Sequence, residues 1–192
     1  MSAASRVKAI LADPFTAWTT IERESSDPAY LLSHYVVLLA LIPAVFSFIG
    51  SSLIGVVLPG GGTARAALFD GVFGAIFGYV MACVTVLLLG VVIDLAAPLF
   101  GGRRDFDSAF KLAVYSYTPV WLAGIFLILP GLRFLTLTGF YGAYLLWLGL
   151  PRLMKVPEHK SQSFAALLVA CAFAFTSIAG AVQRAVFGTP GL

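Results

Sequence analysis

Residues 68–93 read LFDGVFGAIFGYVMACVTVLLLGVVI, an apolar run interrupted by one charged residue, Asp70. A helix of that length reaches roughly 39 Å at 1.5 Å per residue, more than the ~30 Å hydrocarbon core of a bilayer. The run is continuously apolar instead of alternating with period two, which predicts a spanning helix and not a barrel strand.

Four further runs qualify. One covers about 35–58 and ends at Pro59-Gly60-Gly61-Gly62; another covers about 112–129 and stops at Pro130-Gly131. A shorter one, about 134–150, closes at Pro151-Arg152, and the last covers about 164–187. The expected fold is an all-α membrane protein, with five transmembrane helices preceded by a short amphipathic cytoplasmic helix. Residues 1–33 form the N-terminal segment, 34–187 the membrane domain, and 188–192 an external tail. The tight turn at Pro130-Gly131 also admits a re-entrant hairpin in place of two full crossings.

Composition supports lipid as the surroundings. Hydrophobic residues make up 60% and charged residues 11% of the chain, against about 45–50% and about 25% in a typical soluble domain. The net charge of +3 is spread over isolated cations and the pair Arg103-Arg104, so no dense basic face exists for nucleic acid. Cys83 and Cys171 both lie inside apolar runs, where a thiol acts as a small hydrophobe. The first 28 residues hold no apolar signal-peptide core, so the first span is expected to insert the protein.

Lys and Arg accumulate on the cytoplasmic side of short loops. Arg6, Lys8 and Arg23, then Arg103, Arg104 and Lys111, then Arg152, Lys155 and Lys160 fall on one side; only Arg65, Arg133 and Arg184 fall on the other. This alternation predicts a multi-pass protein with its N-terminus cytoplasmic and its C-terminus external.

Asp13-Pro14 is a helix-start signal: Asp caps free amides, and Pro presets φ at the first helical position. Phe15, Trp18 and Ile21 then recur at helical spacing, as Val7, Ile10 and Leu11 do before them. The stripe Phe15, Trp18 and Ile21 is a candidate membrane-surface contact on the cytoplasmic leaflet. A helix packed on the cytoplasmic end of the bundle satisfies the same pattern.

Within the membrane, Gly74 and Gly78 form a small-residue pair, and Ala166, Ala170 and Ala174 repeat that spacing. Both sets predict close helix packing, within one chain or between copies. Asp94 is a carboxylate at the end of a long apolar run. It is expected at the interface, within reach of Arg103 or Arg104. Tyr115, Tyr117, Thr118 and Pro119 bring hydroxyls and a helix break to the third span, so with Asp94 they form a candidate polar vestibule or hinge. Tyr141, Tyr144 and Trp147 recur every third residue, as packing or as an interfacial anchor. His34 and His159 have no metal-binding company nearby, and no metal or cofactor is expected.

No metalloprotease, nucleophile-elbow, phosphate-loop or dinucleotide motif occurs. The sequence resembles a known family nonetheless. Residues 11–22, LADPFTAWTTIE, are similar to the opening of small prokaryotic Yip1-domain proteins, with Pro14, Trp18 and Ile21 matching. Ala40 to Pro43, Phe48 to Gly50, Tyr115 to Pro119 and Tyr144 to Pro151 extend the resemblance over nearly the whole chain. It implies a five-helix membrane domain with a cytoplasmic N-terminus. Eukaryotic members bind Rab-type GTPases; this chain lacks their long cytosolic region, and no Rab-binding residue transfers.

The leading functional expectation is a non-enzymatic inner-membrane protein acting through lipid contact and assembly. Its expected partners are membrane lipids and a second copy or another membrane protein. The alternatives are a small transporter or channel built around the vestibule, and a membrane enzyme with an unrecognised site.

Overall fold

The structure, a computed structural model, describes residues 3–25, 27–57 and 63–187. Five helical segments among them are long and apolar enough to cross a membrane: Pro28–Ile54, Leu68–Phe100, Phe106–Ile128, Gly131–Leu153 and Glu158–Val186. They are called the first to fifth spans below. The expected external tail, 188–192, lies outside the described residues.

Two helices precede the spans where a single short one was expected: α1 (Ala3–Ala12) and α2 (Pro14–Arg23). The start of α2 follows the sequence signal, since the Asp13 side chain accepts from the Thr16 amide at 3.2 Å with Pro14 in the first turn. Asp27 repeats the device before the first span, accepting from the Ala29 amide at 3.0 Å, and Asp105 opens the third by accepting from Ser108. Between the first two spans, Val56–Val57 pairs antiparallel with Thr63–Ala64 as a short ribbon.

The third and fourth spans are wound partly as tighter 3-10 helix, over Gly124–Ile128 and Pro130–Phe140. At about 2.0 Å rise per residue such winding gains height for the same number of residues. The first span contains π-helical turns at Leu32–Val36 and Ile49–Ile54.

The small residues of the second and fifth spans predict close packing there, and with it a packing centre on those two helices. The structure places it on the third: 67% of its apolar window is buried, against 28% for the second and 11% for the fifth. The physical reason is polarity. Ser116, Thr118 and Lys111 all lie on the third span, and lipid offers their hydroxyls and ammonium no partner, so this helix is shielded by the others.

Backbones approach most closely at glycines other than the expected pair. A β-carbon at Gly124 would lie 2.6 Å from Pro43 Cβ, and one at Gly142 would press on the Ser116 carbonyl. Ala166, Ala170 and Ala174 are exposed, so the fifth span turns this face away from its own bundle. Gly74 and Gly78 face the Gln183 side chain instead of a neighbouring backbone.

Candidate functional site

The end of the bundle that carries the N-terminus is closed by α1 and α2, and the side chains that fasten them make the most elaborate cluster in the described residues. Trp18 lies at its centre. Its indole is fully buried and meets the Tyr115 ring edge-on at 6.4 Å. It fits because Gly149 has no side chain: a β-carbon there would come within 3.0 Å of the indole. Ile21, one turn further along α2, is buried on the same side.

Tyr115 gathers further partners. The Tyr35 ring packs against it at 5.2 Å, and the Arg6 guanidinium sits 5.6 Å over its face. Tyr35 in turn shares a 3.0 Å hydrogen bond with the Thr118 hydroxyl.

Arg6 and Lys111 are both buried, and a buried cation is tolerated only when paired. Glu24 serves both: its carboxylate pairs with Arg6, and its backbone carbonyl accepts from Lys111 Nζ at 2.5 Å. Beside this cluster lies a polar cavity of about 550 Å³ whose lining includes Arg6, Asp27, Tyr30, His34 and Tyr115.

Along the outer side of α2, Arg152 donates to the Thr19 hydroxyl at 2.8 Å, and Lys155 pairs with Glu22. The hydrogen bond from Lys155 holds the Glu22 carboxyl below the ordinary carboxylate range. That pairing therefore contributes stability at neutral pH and loses it only as acid protonates Glu22.

The same side carries an exposed surface. Phe15 is 55% exposed and lies under the Arg152 guanidinium at 5.5 Å, while Trp147 is 44% exposed. Phe15, Trp147, Arg152 and Lys155 border a hollow of about 470 Å³. Tyr141, Tyr144 and Trp147 lead to it as a ladder of rings, 5.5 and then 6.1 Å apart.

These positions revise the expected sites. Of the stripe Phe15, Trp18 and Ile21, only Phe15 remains available to a membrane surface; Trp18 and Ile21 are spent on the bundle. The reason is the third span, which together with Gly149 offers the indole a dry recess that headgroups cannot match.

The vestibule residues do not converge. Tyr115 faces the N-terminal helices, and Thr118 is fully buried against Tyr35. Tyr117 lines cavities on another side of the third span, and Pro119 is buried within it. Asp94 sits apart, 3.4 Å from Arg104. Four residues within five positions of a helix point in different directions, which proximity in sequence does not reveal.

Arg6, Glu24, Lys111, Arg152 and Lys155 were missed as site residues. In the sequence the four cations read as loop charges that mark orientation. Only their wide separation along the chain from the groups they bind hid the cluster.

Comparison with known proteins agrees with this architecture. Residues 8–179 match the family model of the Yip1 domain. The "Inner membrane protein YohC" of Escherichia coli strain K12 is 28% identical over 170 residues, covering 86% of this chain and 87% of that protein. The protein of the same name from Escherichia coli O6:H1 strain CFT073 aligns with the same identity and coverage. No solved structure matches.

Proposed function

The chain belongs to the Yip1 domain family, and from that premise we propose that it is a non-enzymatic multi-pass protein of the bacterial inner membrane that works by lipid contact and assembly. The observation that carries this reading is the exposed pair Phe15 and Trp147 beside Arg152 and Lys155. Aromatic rings at the headgroup level with cations next to them suit an anionic phospholipid, whose phosphate meets the guanidinium and ammonium while its upper chain meets the rings. The inner-membrane name of the Escherichia coli relative supports the location.

The assembly half of the proposal rests on the fifth span. Its exposed Ala166, Ala170 and Ala174 leave a shallow face on which a second copy of this chain, or another membrane helix, can lie closely. The transporter reading draws no support from the candidate vestibule, because its residues serve separate neighbours.

Native mass spectrometry from nanodiscs containing phosphatidylglycerol tests both halves. The expected spectrum shows retained anionic lipid and a two-copy mass. Exposed aromatic rings contribute on the order of 1.5–3 kcal/mol each when covered, so Phe15→Ser with Trp147→Ser is expected to cut retention at least about tenfold. Retention equal to the wild type would remove the lipid site, and single-copy masses alone would remove the assembly.

Orientation follows from the charge asymmetry and is tested by labelling. In a chain with Cys83 and Cys171 replaced by alanine, cysteines at Gly61 and Thr189 are expected to react with an impermeant thiol reagent outside intact cells. A cysteine at Glu158 is expected to stay unlabelled. Reversed labelling would place the N-terminal helices on the periplasmic side.

A further inference from the structure

We infer that the polar cavity beside the N-terminal helices binds a phosphate oxyanion, borne by a small ester or by a lipid headgroup, between the Arg6 guanidinium and the Tyr115 hydroxyl. Its volume of about 550 Å³ falls in the range of small-molecule pockets. It shares no lining residue with the hollow at Phe15, so the two are separate sites.

The charge of the surrounding cluster selects the sign of the occupant. Arg6 and Lys111 are each 6% exposed, and among the described residues the Glu24 carboxylate pairs with Arg6 alone. Lys111 Nζ has the neutral Glu24 carbonyl in place of a carboxylate. Two buried cations therefore face one carboxylate, and a buried charge without a counter-charge is costly. Asp105, at the start of the same helix as Lys111, is engaged by Arg103 and Ser108. Asp27 stands exposed at the rim, with one oxygen on the Ala29 amide, so water meets its charge. Glu24 is itself on the cavity wall, which puts both cations it holds at the wall or directly behind it.

The donors are already in place. Tyr115 is 4% exposed, and its ring is fixed by Trp18, Tyr35 and the Arg6 guanidinium. Its hydroxyl has no hydrogen-bond partner among the described residues. The partnerless polar atoms sealed from solvent belong to Trp18, Ser52, Asp94, Ser116 and Trp121; the Tyr115 hydroxyl is not one of them, so it opens on the cavity. A guanidinium carries five N–H donors, and Glu24 engages one nitrogen of Arg6. The others are left for a second oxyanion, which a guanidinium binds through charge-assisted hydrogen bonds. Tyr30 and His34, stacked at 4.3 Å, stand at the mouth and offer ring surface to the organic body of an ester.

The test uses the full chain carrying Phe15→Ser and Trp147→Ser, so that the surface at Phe15 contributes nothing. Isothermal titration calorimetry in detergent measures the binding of phenyl phosphate, dihexanoylphosphatidylglycerol and, as a cation of similar size, benzylammonium. One oxyanion is expected to bind with one copy per chain, at least about tenfold tighter than benzylammonium. The tighter of the two oxyanions names the source, a soluble ester or a lipid headgroup. Tyr115→Phe keeps the ring and removes only the donor. In the same background it is expected to melt as its parent does and to bind that oxyanion about tenfold more weakly. Binding of neither oxyanion, benzylammonium bound as tightly as the better oxyanion, or parental affinity in Tyr115→Phe would overturn the inference. A marked fall in melting temperature for Tyr115→Phe would also overturn it, since the hydroxyl would then be spent on a partner within the chain.

Discussion

Trp18→Ser is expected to release the N-terminal helices from the bundle while leaving the five spans inserted. The indole is fully buried, and its N–H has no acceptor, so the loss is one of packing and not of a hydrogen bond. Truncating a buried tryptophan costs about 3–5 kcal/mol, because the apolar contact disappears and a cavity remains. Here the cavity would be bounded by Leu112, Tyr115 and Gly149, which lie on two different spans and cannot collapse together without moving them. Of the remaining ties of α2, Ala17 and Ile21 offer a smaller apolar contact, and those from Arg152 to Thr19 and from Lys155 to Glu22 are partly exposed and contribute much less. Tryptic cleavage at Arg23 in membrane vesicles that expose this end should therefore rise on the order of a hundredfold, following the population of the opened segment. Cleavage at the wild-type rate would mean that α2 is held by something other than its indole.

Gly142→Leu is expected to lower the melting temperature of the detergent-solubilised single-copy form sharply, and Ala170→Leu to leave it unchanged. At Gly142 the backbone of the fourth span rests on the Ser116 carbonyl of the third, so any side chain must push the two helices apart. Overpacking of this kind costs about 1–3 kcal/mol, and more when backbone must shift. Gly124→Leu provides a second instance, where the obstacle is the Pro43 ring of the first span. Ala170 is exposed on the fifth span, so leucine there meets no other helix of its own bundle. A melting temperature for Ala170→Leu as low as that of Gly142→Leu would show that the fifth span packs by the face assigned to its exterior.

The contrast between these two positions shows where sequence patterns stop being informative. Gly74-x-x-x-Gly78 and the alanines at 166, 170 and 174 have the spacing of a helix contact, yet spacing specifies only that residues share a face. Which face meets protein is decided by the neighbours available. Gly142 and Gly149 stand seven positions apart on one helix and Gly124 lies on another span, so the four-residue pattern finds none of them; they are set by what each one faces, the Ser116 carbonyl, the Trp18 indole and Pro43.

Five spans, the helix start at Asp13 and the family are legible in the sequence alone. Those features depend on local quantities: the length of an apolar run against the bilayer thickness, and a capping carboxylate beside the amides it satisfies. It takes the packed bundle to make the third span the centre, to turn Trp18 into a bolt and not an anchor, and to bring Arg6 and Lys111 together at Glu24. Only that packing separates the vestibule residues and opens a cavity beside Arg6. The physical reason is that hydrocarbon surrounds every span equally, so apolarity states that a helix is in the membrane but not which side faces its neighbours. That choice is made by the cost of leaving hydroxyls and cations in lipid, a cost that exists only once all five helices compete to cover them.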